Sequence, residues 1–530
     1  MILQNKHLNL ILVFVSLLSS CATVDKFNAQ IDIKKSVNDL KFDVDYIQKK
    51  LVKLHPDLYH YIPENEFNLK FDSLSNSLKD SMTSKDFYFK LSPIIASIKQ
   101  GHTQTYPLTK KLNRKESKMV QKVGISPLVR FEYELFNNEL YIIKNNSNDT
   151  TIKPGTKIIS INGENPIGIL TKYEKTFTSD GNNYTFVPKR LAKGFPRYFY
   201  YDYGIVDSIQ CKLSFNDSIR DFTLKQNSIR TMPKVTKSKN EIAQDKKISK
   251  NLNKIKKLQG YDKFKRKYSK QLIFQDKDST IAILKIADFT KGNYKKFYKN
   301  SFRLLDSLQT KSLIIDLRDN GGGRLNEVST LFKYLSDSSF HFIEKAEVTS
   351  KTSLWHDAFF SNKPVWKQAI QTVLIPSFVL KNMITYFATI KGKDNKYRIA
   401  LFDSWKKYPK SNQFKGKVYV LINGGSFSAS SLLSSNLKGS KRAIFVGEET
   451  GGADNGCVAG IMPTRVLPKS KLKVNFGLLL CKSPYIAEID GRGIFPNIEI
   501  KPTLIDVVNN IDPEMQWILK DIESKENRLK

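Results

Sequence analysis

Between residues 36 and 115 the apolar positions recur at helical spacing. Phe42, Val44, Ile47, Leu51 and Leu54 form one series, and Phe67, Phe71, Leu74 and Leu78 a second. Ser84 ahead of Asp86-Phe87 reads as a helix start leading into Leu91-Ser92-Pro93-Ile94-Ile95. A small helical domain over 36–115 follows, closing at Gly101-His102-Thr103. From about Gly124 to Leu224 the period shortens. Leu140-Tyr141-Ile142-Ile143, Lys157 to Ile161 and Leu213-Ser214-Phe215 are β-rich runs parted by turn residues, which predicts a β module over 118–228. A third regime begins at Gln271. Ile281–Ile286, Ser312–Leu317 and Val418–Ile422 are continuous apolar runs of the kind a parallel sheet buries on both faces. The chain is therefore expected to be multidomain α+β, with an α/β core over 271–505, an insertion at 345–412 and a helical tail at 506–530. Within the insertion, Ala369 to Ile390 is apolar but carries Pro376 and Lys381. That favours a cap packed near the functional site over a membrane span.

The first residues follow a different pattern. Lys6 and His7 precede an apolar run from Leu8 to Leu18, which closes on Leu18-Ser19-Ser20-Cys21. A short apolar segment ending in small residues reads as an export signal, and a cysteine directly after them resembles the bacterial lipoprotein pattern. Residues 1–20 would then be removed, Cys21 lipidated, and residues 21–35 left as a tether. The expected location is the cell envelope, on a bacterial membrane and most simply the outer membrane facing the periplasm. Of the other cysteines, Cys211, Cys457 and Cys481, all three cannot pair internally and their spacing matches no metal site. Buried free thiols are expected, with a Cys457–Cys481 disulfide as the alternative.

Charge changes the picture in one place. The 530 residues carry a formal charge of +35, and 40% of them are hydrophobic, enough for ordinary cores. Between Lys225 and Lys270 stand sixteen Lys/Arg and three acids. Few aromatics interleave there and no nucleic-acid module is visible, so no nucleic-acid partner is expected. The stretch 229–270 reads as a solvated Lys-rich linker.

Three strings carry chemistry. Asn423-Gly424-Gly425-Ser426-Phe427-Ser428-Ala429-Ser430-Ser431-Leu432 follows a buried strand, so a hydroxyl would sit at a helix N-terminus, where free amides stabilise negative charge. Ser428 is the candidate, with Ser426, Ser430 and Ser431 as competitors. Asp316-Leu317-Arg318-Asp319-Asn320-Gly321-Gly322-Gly323 also ends a strand, and its glycines let backbone amides approach an oxyanion. No Gly-Lys-Ser/Thr follows, so nucleotide binding is not implied. The third string is Gly101-His102-Thr103.

Together these strings resemble the tail-specific, or C-terminal processing, serine peptidases, whose core is of the ClpP/crotonase type. Val446-Gly447-Glu448-Glu449-Thr450-Gly451-Gly452 is a further string of that family. Ile152 through Pro154-Gly155 to Asn162-Gly163 resembles the core of a PDZ domain, which implies that peptide is held near Gly155 and a terminal carboxylate on backbone amides. Many members use a lysine base shortly after the Gly-Glu string, but here that position is Ala453. The chain is instead similar to the tricorn-core and retinoid-binding-protein-like branch, which uses a histidine, and His102 is the matching residue. The resemblance further implies Asp490, with Glu488 as competitor, to orient that histidine. It also implies the amides of Ala429 and Gly322 as oxyanion donors. The expected activity is hydrolysis of peptides or unfolded proteins by Ser428 and His102, with no metal and no organic cofactor. A catalytically silent peptide-binding adaptor and a binder of apolar ligands are the rival readings.

Overall fold

The computed structural model describes residues 24–226, 250–262, 267–290, 292–357 and 374–527. The export segment with Cys21 and most of the Lys-rich linker lie outside the described residues. The helical region is built from α1 (Val37–Leu54), α2 (Glu64–Ser77) and α3 (Ser84–Ala96). Leu40, Val44, Ile47, Leu51 and Leu54 form the buried face of α1. Phe42, expected in that series, is 51% exposed, because it lies two residues from Leu40 and Val44 and so faces away from them. Ser36 caps α1 through the Asp39 amide. Thr83, one residue before the expected Ser84, caps α3 in a reciprocal pairing with Asp86.

After α3 the chain passes His102 and runs as β1 (Gln104–Tyr106). This strand pairs antiparallel with a strand of the core, Gln104 opposite Asn475. Next comes α4 (Arg114–Val123), which crosses the boundary expected between the helical and β regions.

The β module is one antiparallel sheet in strand order, β2 (Phe131–Phe136), β3 (Glu139–Asn145), β4 (Thr156–Ile161), β5 (Ser208–Phe215) and β6 (Ser218–Lys225). Asn137-Asn138 and Asn216-Asp217 turn its two hairpins with positive φ at both central positions, which matches the twist of the strands. Two helices, α5 (Pro166–Glu174) and α6 (Phe186–Tyr203), fall between β4 and β5, and α6 packs on β2.

The core begins with β7 (Lys270–Phe274), so Lys270, the end of the expected linker, is a buried strand residue. It continues with β8 (Ile281–Ile286), α7 (Tyr294–Ser307), β9 (Ser312–Asp316) and α8 (Leu325–Phe332). The insertion supplies β10 (Ala346–Val348), α9 (Ile375–Ala388), β11 (Thr389–Lys391) and β12 (Tyr397–Ile399). There follow β13 (Lys417–Ile422), α10 (Ala429–Gly439) and β14 (Ile444–Gly447). Then come β15 (Cys457–Ala459), β16 (Thr464–Val466), β17 (Lys473–Asn475), β18 (Leu479–Cys481) and β19 (Ile498–Glu499). The main sheet has the order β19-β14-β13-β9-β8-β7 and is parallel except at β7. All five residues of β9 are buried, as expected for a strand covered on both faces. A second sheet, β11-β12-β10-β18-β15, joins the insertion to the core, and in it the free thiols Cys457 and Cys481 lie directly opposite one another. The C-terminal helix α11 (Pro513–Asn527) covers β13 and β14.

Candidate active site

The centre of the main sheet positions the site. Both β9 and β13 end on the same edge, and the loops after them are stitched together. The Asp319 amide donates to Asn423 Oδ1 (2.9 Å), the Phe427 amide to the Asn320 carbonyl (2.9 Å), and Ser426 Oγ to the Leu317 carbonyl (2.8 Å). Arg318 lies outside the cleft chemistry. It is shared among Asp316, Asp512 and Glu514 and anchors the start of α11.

This frame forces Ser428 into a backbone conformation with φ +61° at the N-terminus of α10. Left-handed φ is uncommon for serine, and its cost is met by the surrounding hydrogen bonds, an arrangement that clusters at functional positions. The competing serines are accounted for elsewhere. Ser426 is the latch just described, Ser431 Oγ donates to the Ser426 carbonyl (3.2 Å), and Ser430 is fully buried.

His102 Nε2 stands 2.9 Å from Ser428 Oγ. The ring stacks on Phe427 at 4.7 Å, and Phe427 in turn stacks on Phe186 of α6 at 4.2 Å. Burial, with a smaller contribution from the Arg190 cation, lowers the imidazole to about 4, so it is neutral at neutral pH and able to accept a proton. Gly101, before it, is required to be small: a Cβ there would stand 2.7 Å from the Phe427 ring and 2.9 Å from Asp180 Oδ1.

Three expected assignments are corrected. Asp490 makes no contact with His102. Its carboxylate accepts from His60 Nε2 (3.1 Å) and from Asn455, because the helical region places His60, itself held between Asp57 and Asp490, against that loop. Glu488 pairs with Lys438 (2.8 Å) instead. The Nδ1 of His102 is buried and meets no partner among the described residues.

Gly322 is the second correction. Its amide already donates to Asn320 Oδ1 (2.9 Å), so it is not free for an oxyanion. Its glycine identity serves close approach: a Cβ would lie 2.8 Å from Ser428 Cβ and 2.9 Å from the Ala429 nitrogen, at φ +92°. The amides of Ala429, Gly321 and Gly323 have no acceptor among the described residues. Gly155 is the third. It is buried under Val508, whose Cγ2 would lie 2.3 Å from a Cβ there, and φ +87° explains the glycine as a turn residue rather than a peptide contact.

One residue at the site escaped the sequence reading. Asp180, on the loop between α5 and α6, is 1% exposed. Its Oδ1 accepts the Gly101 amide (2.6 Å) and its Oδ2 the Ala453 amide (3.2 Å). Burial pushes this carboxyl up to about 6 despite the two donors. Locally, Asp180-Gly181 reads as a turn, and no pattern links it to residues 79 and 273 positions away. The Ala453 backbone, at the position where a lysine base was sought, thus becomes part of the support for the histidine loop.

The cleft over Ser428 encloses about 340 Å³. Its walls include Phe186, Arg190 and Lys193 of α6, with Asn475 of β17 and Met462 opposite. None of the described residues of the 345–412 insertion lines it, so the expected cap over the site is not seen among them. Among the described residues no group of His, Cys, Asp and Glu could hold a metal ion.

Residues 280–500, which hold the Ser428 loop and the glycine loop, match the model of Peptidase family S41. Those residues carry the similarity to family S41. The chain is a serine peptidase. Two solved structures of mature CPAF share the fold of nearly the whole peptidase. One, in complex with lactacystin, aligns with a TM-score of 0.57 at 14% identity over 93% of this chain and 99% of that one. The other gives 0.55 at 14% identity over 89% and 94%. At such identities the likeness is one of fold. No curated protein sequence matches the peptidase.

Proposed function

We propose that this peptidase is a lipid-anchored enzyme of the bacterial cell envelope that cleaves peptides or unfolded proteins through a Ser428/His102 pair. The observation that carries the mechanism is the 2.9 Å contact between His102 Nε2 and Ser428 Oγ, with the imidazole held neutral. His102 removes the Ser428 proton as Oγ attacks the scissile carbonyl, then gives that proton to the leaving amine. The Ala429 amide, with Gly321 and Gly323 beside it, faces the oxyanion. Water then attacks the acyl-enzyme, with His102 again as base. The Cys21 string supports the envelope anchor. With Gly155 covered, carboxylate capture at that turn is not part of the proposal.

A fluorophosphonate probe tests the pair directly. It should label Ser428 in the parent and leave Ser428→Ala unlabelled. Labelling of His102→Ala should be slower by about 100-fold or more. Parental labelling of His102→Ala would reject the Ser/His mechanism, and an unlabelled parent would favour the silent adaptor.

A further inference from the structure

Helix α9 is built the wrong way out for a soluble insertion. Ile375, Val379, Leu380, Met383, Ile384 and Phe387 share one face, and all are exposed: Phe387 by 75%, Leu380 and Ile384 by 59% each. The inward face carries the polar groups. Asn382 is 7% exposed, its main-chain carbonyl accepts the Trp355 indole N–H (3.1 Å), and Lys381 pairs with Asp357. A soluble helix shows the opposite polarity, and contiguous apolar surface of this kind marks a place of contact.

The surroundings indicate what the contact is. Trp355 and Tyr386 meet tilted, with ring centres 6.2 Å apart, at the shoulder of the helix, and Lys351 lies over the Tyr386 ring at 5.0 Å. Ile390, 63% exposed, extends the apolar strip beyond the helix. Residues 374–415 carry nine Lys/Arg against two acids; Lys407 is buried and Lys381, Lys396 and Arg398 are ion-paired, which leaves Lys391, Lys393, Lys406, Lys410 and Lys415 exposed to solvent. An apolar face bordered by amphipathic rings and cations fits the boundary between acyl chains and anionic headgroups. A second copy of the chain would bring two like-charged borders together, which opposes pairing through this face. The helix has 14 residues, about 21 Å at 1.5 Å per residue, too short for a hydrocarbon core of about 30 Å. Among the described residues no helix is long and apolar enough to cross a membrane. No residue of α9 lines the cleft, so its apolar face is not part of the cleft wall.

We propose that α9 lies flat in the surface of an anionic lipid bilayer, its apolar face among the acyl chains and the neighbouring lysines on headgroup phosphates. This contact is independent of the acyl chain at Cys21 and of the chemistry at Ser428.

The test uses residues 21–530 with Cys21→Ser, which contains every described residue and carries no acyl group. Its partition onto vesicles of phosphatidylcholine and phosphatidylglycerol is measured by co-sedimentation, beside vesicles of phosphatidylcholine alone. The expected result is binding to the anionic vesicles that falls by at least about tenfold without phosphatidylglycerol. It should fall by at least about tenfold in Leu380→Gln/Phe387→Gln, two exposed positions whose change leaves the fold intact. Fluorophosphonate labelling of that variant in the absence of vesicles should equal the parent's. Undiminished vesicle binding by the variant, or no binding by the parent, would overturn the proposal. So would a parental dimer in sedimentation velocity that the variant dissociates, which would assign the face to a second copy. Failure of the Ser428/His102 reading would leave the vesicle result untouched, so the two outcomes remain separable.

Discussion

Replacing Asp180 with asparagine separates what its charge does from what its two hydrogen bonds do. The carboxyl titrates at about 6 against a reference of 3.8 because burial outweighs the donors from Gly101 and Ala453. A raised acid loses stability as the pH climbs from 3.8 through 6, and above that range the full cost, about 3 kcal/mol, is present. Asparagine removes that cost at neutral pH. It also exchanges one acceptor oxygen for an N–H donor, so one of the two buried amides loses its partner, at about 1–3 kcal/mol. The two effects nearly cancel, and the melting temperature should shift by only a few degrees. Activity should not be spared. The Gly101 amide adjoins His102, and a misplaced imidazole at the same 1–3 kcal/mol lowers kcat by about 5- to 150-fold while KM stays within about twofold.

The pH profile gives a second readout. In the parent, kcat/KM should fall partially as the pH drops through about 6, where Asp180 protonates, and completely through about 4, where His102 does. Tyr61 and Cys457, the groups that feel the Asp180 charge, are both held in their neutral forms and add no limb. Asp180→Asn should show a lower plateau and only the limb near 4. Hydrolysis of an internally quenched peptide between pH 3.5 and 8, together with thermal unfolding, measures both. A variant with parental kcat, or one that keeps the limb near 6, would refute the positioning role. A fall in melting temperature that accounts for all lost activity would leave Asp180 a purely structural residue.

Two further outcomes follow from the same geometry and from the chain's first residues. Arg190→Gln should raise the limb near 4, because the Arg190 cation helps burial keep the imidazole unprotonated; an unchanged midpoint would remove Arg190 from that role. Mass spectrometry of the mature protein should find an acylated N-terminus at Cys21, absent in Cys21→Ser; a mature N-terminus elsewhere would remove the anchor.

Local pattern carried much of this protein. Helical spacing located α1 and α2, β-rich runs parted by turn residues marked β3, β4 and β5, and continuous apolar runs marked β8, β9 and β13. These depend on neighbours within a few residues, and periodicity reports them directly. The string around Ser428 was legible for the same reason, since a small-residue turn between strand and helix is a local requirement, whereas His102 was singled out only by the resemblance to a family string. Phe42 was misread because one apolar residue beside a helical stripe carries no sign of which face the rest of the chain will cover.

What the sequence determined alone is therefore most of the elements, the strings that carry Ser428 and His102, and the basic, multidomain character of the chain. The tertiary structure decided which groups meet. It brought His102 to a serine 326 positions away by pairing β1 with β17, supplied Asp180 beneath the histidine loop, and drew Asp490 to His60. It also closed Gly155 under Val508 and turned the apolar face of α9 outward. Such contacts depend on the register of distant strands, and on which carboxylate finds a cation or amide once water is removed. Neither leaves a periodic trace in the chain, because the partners share no stretch of sequence.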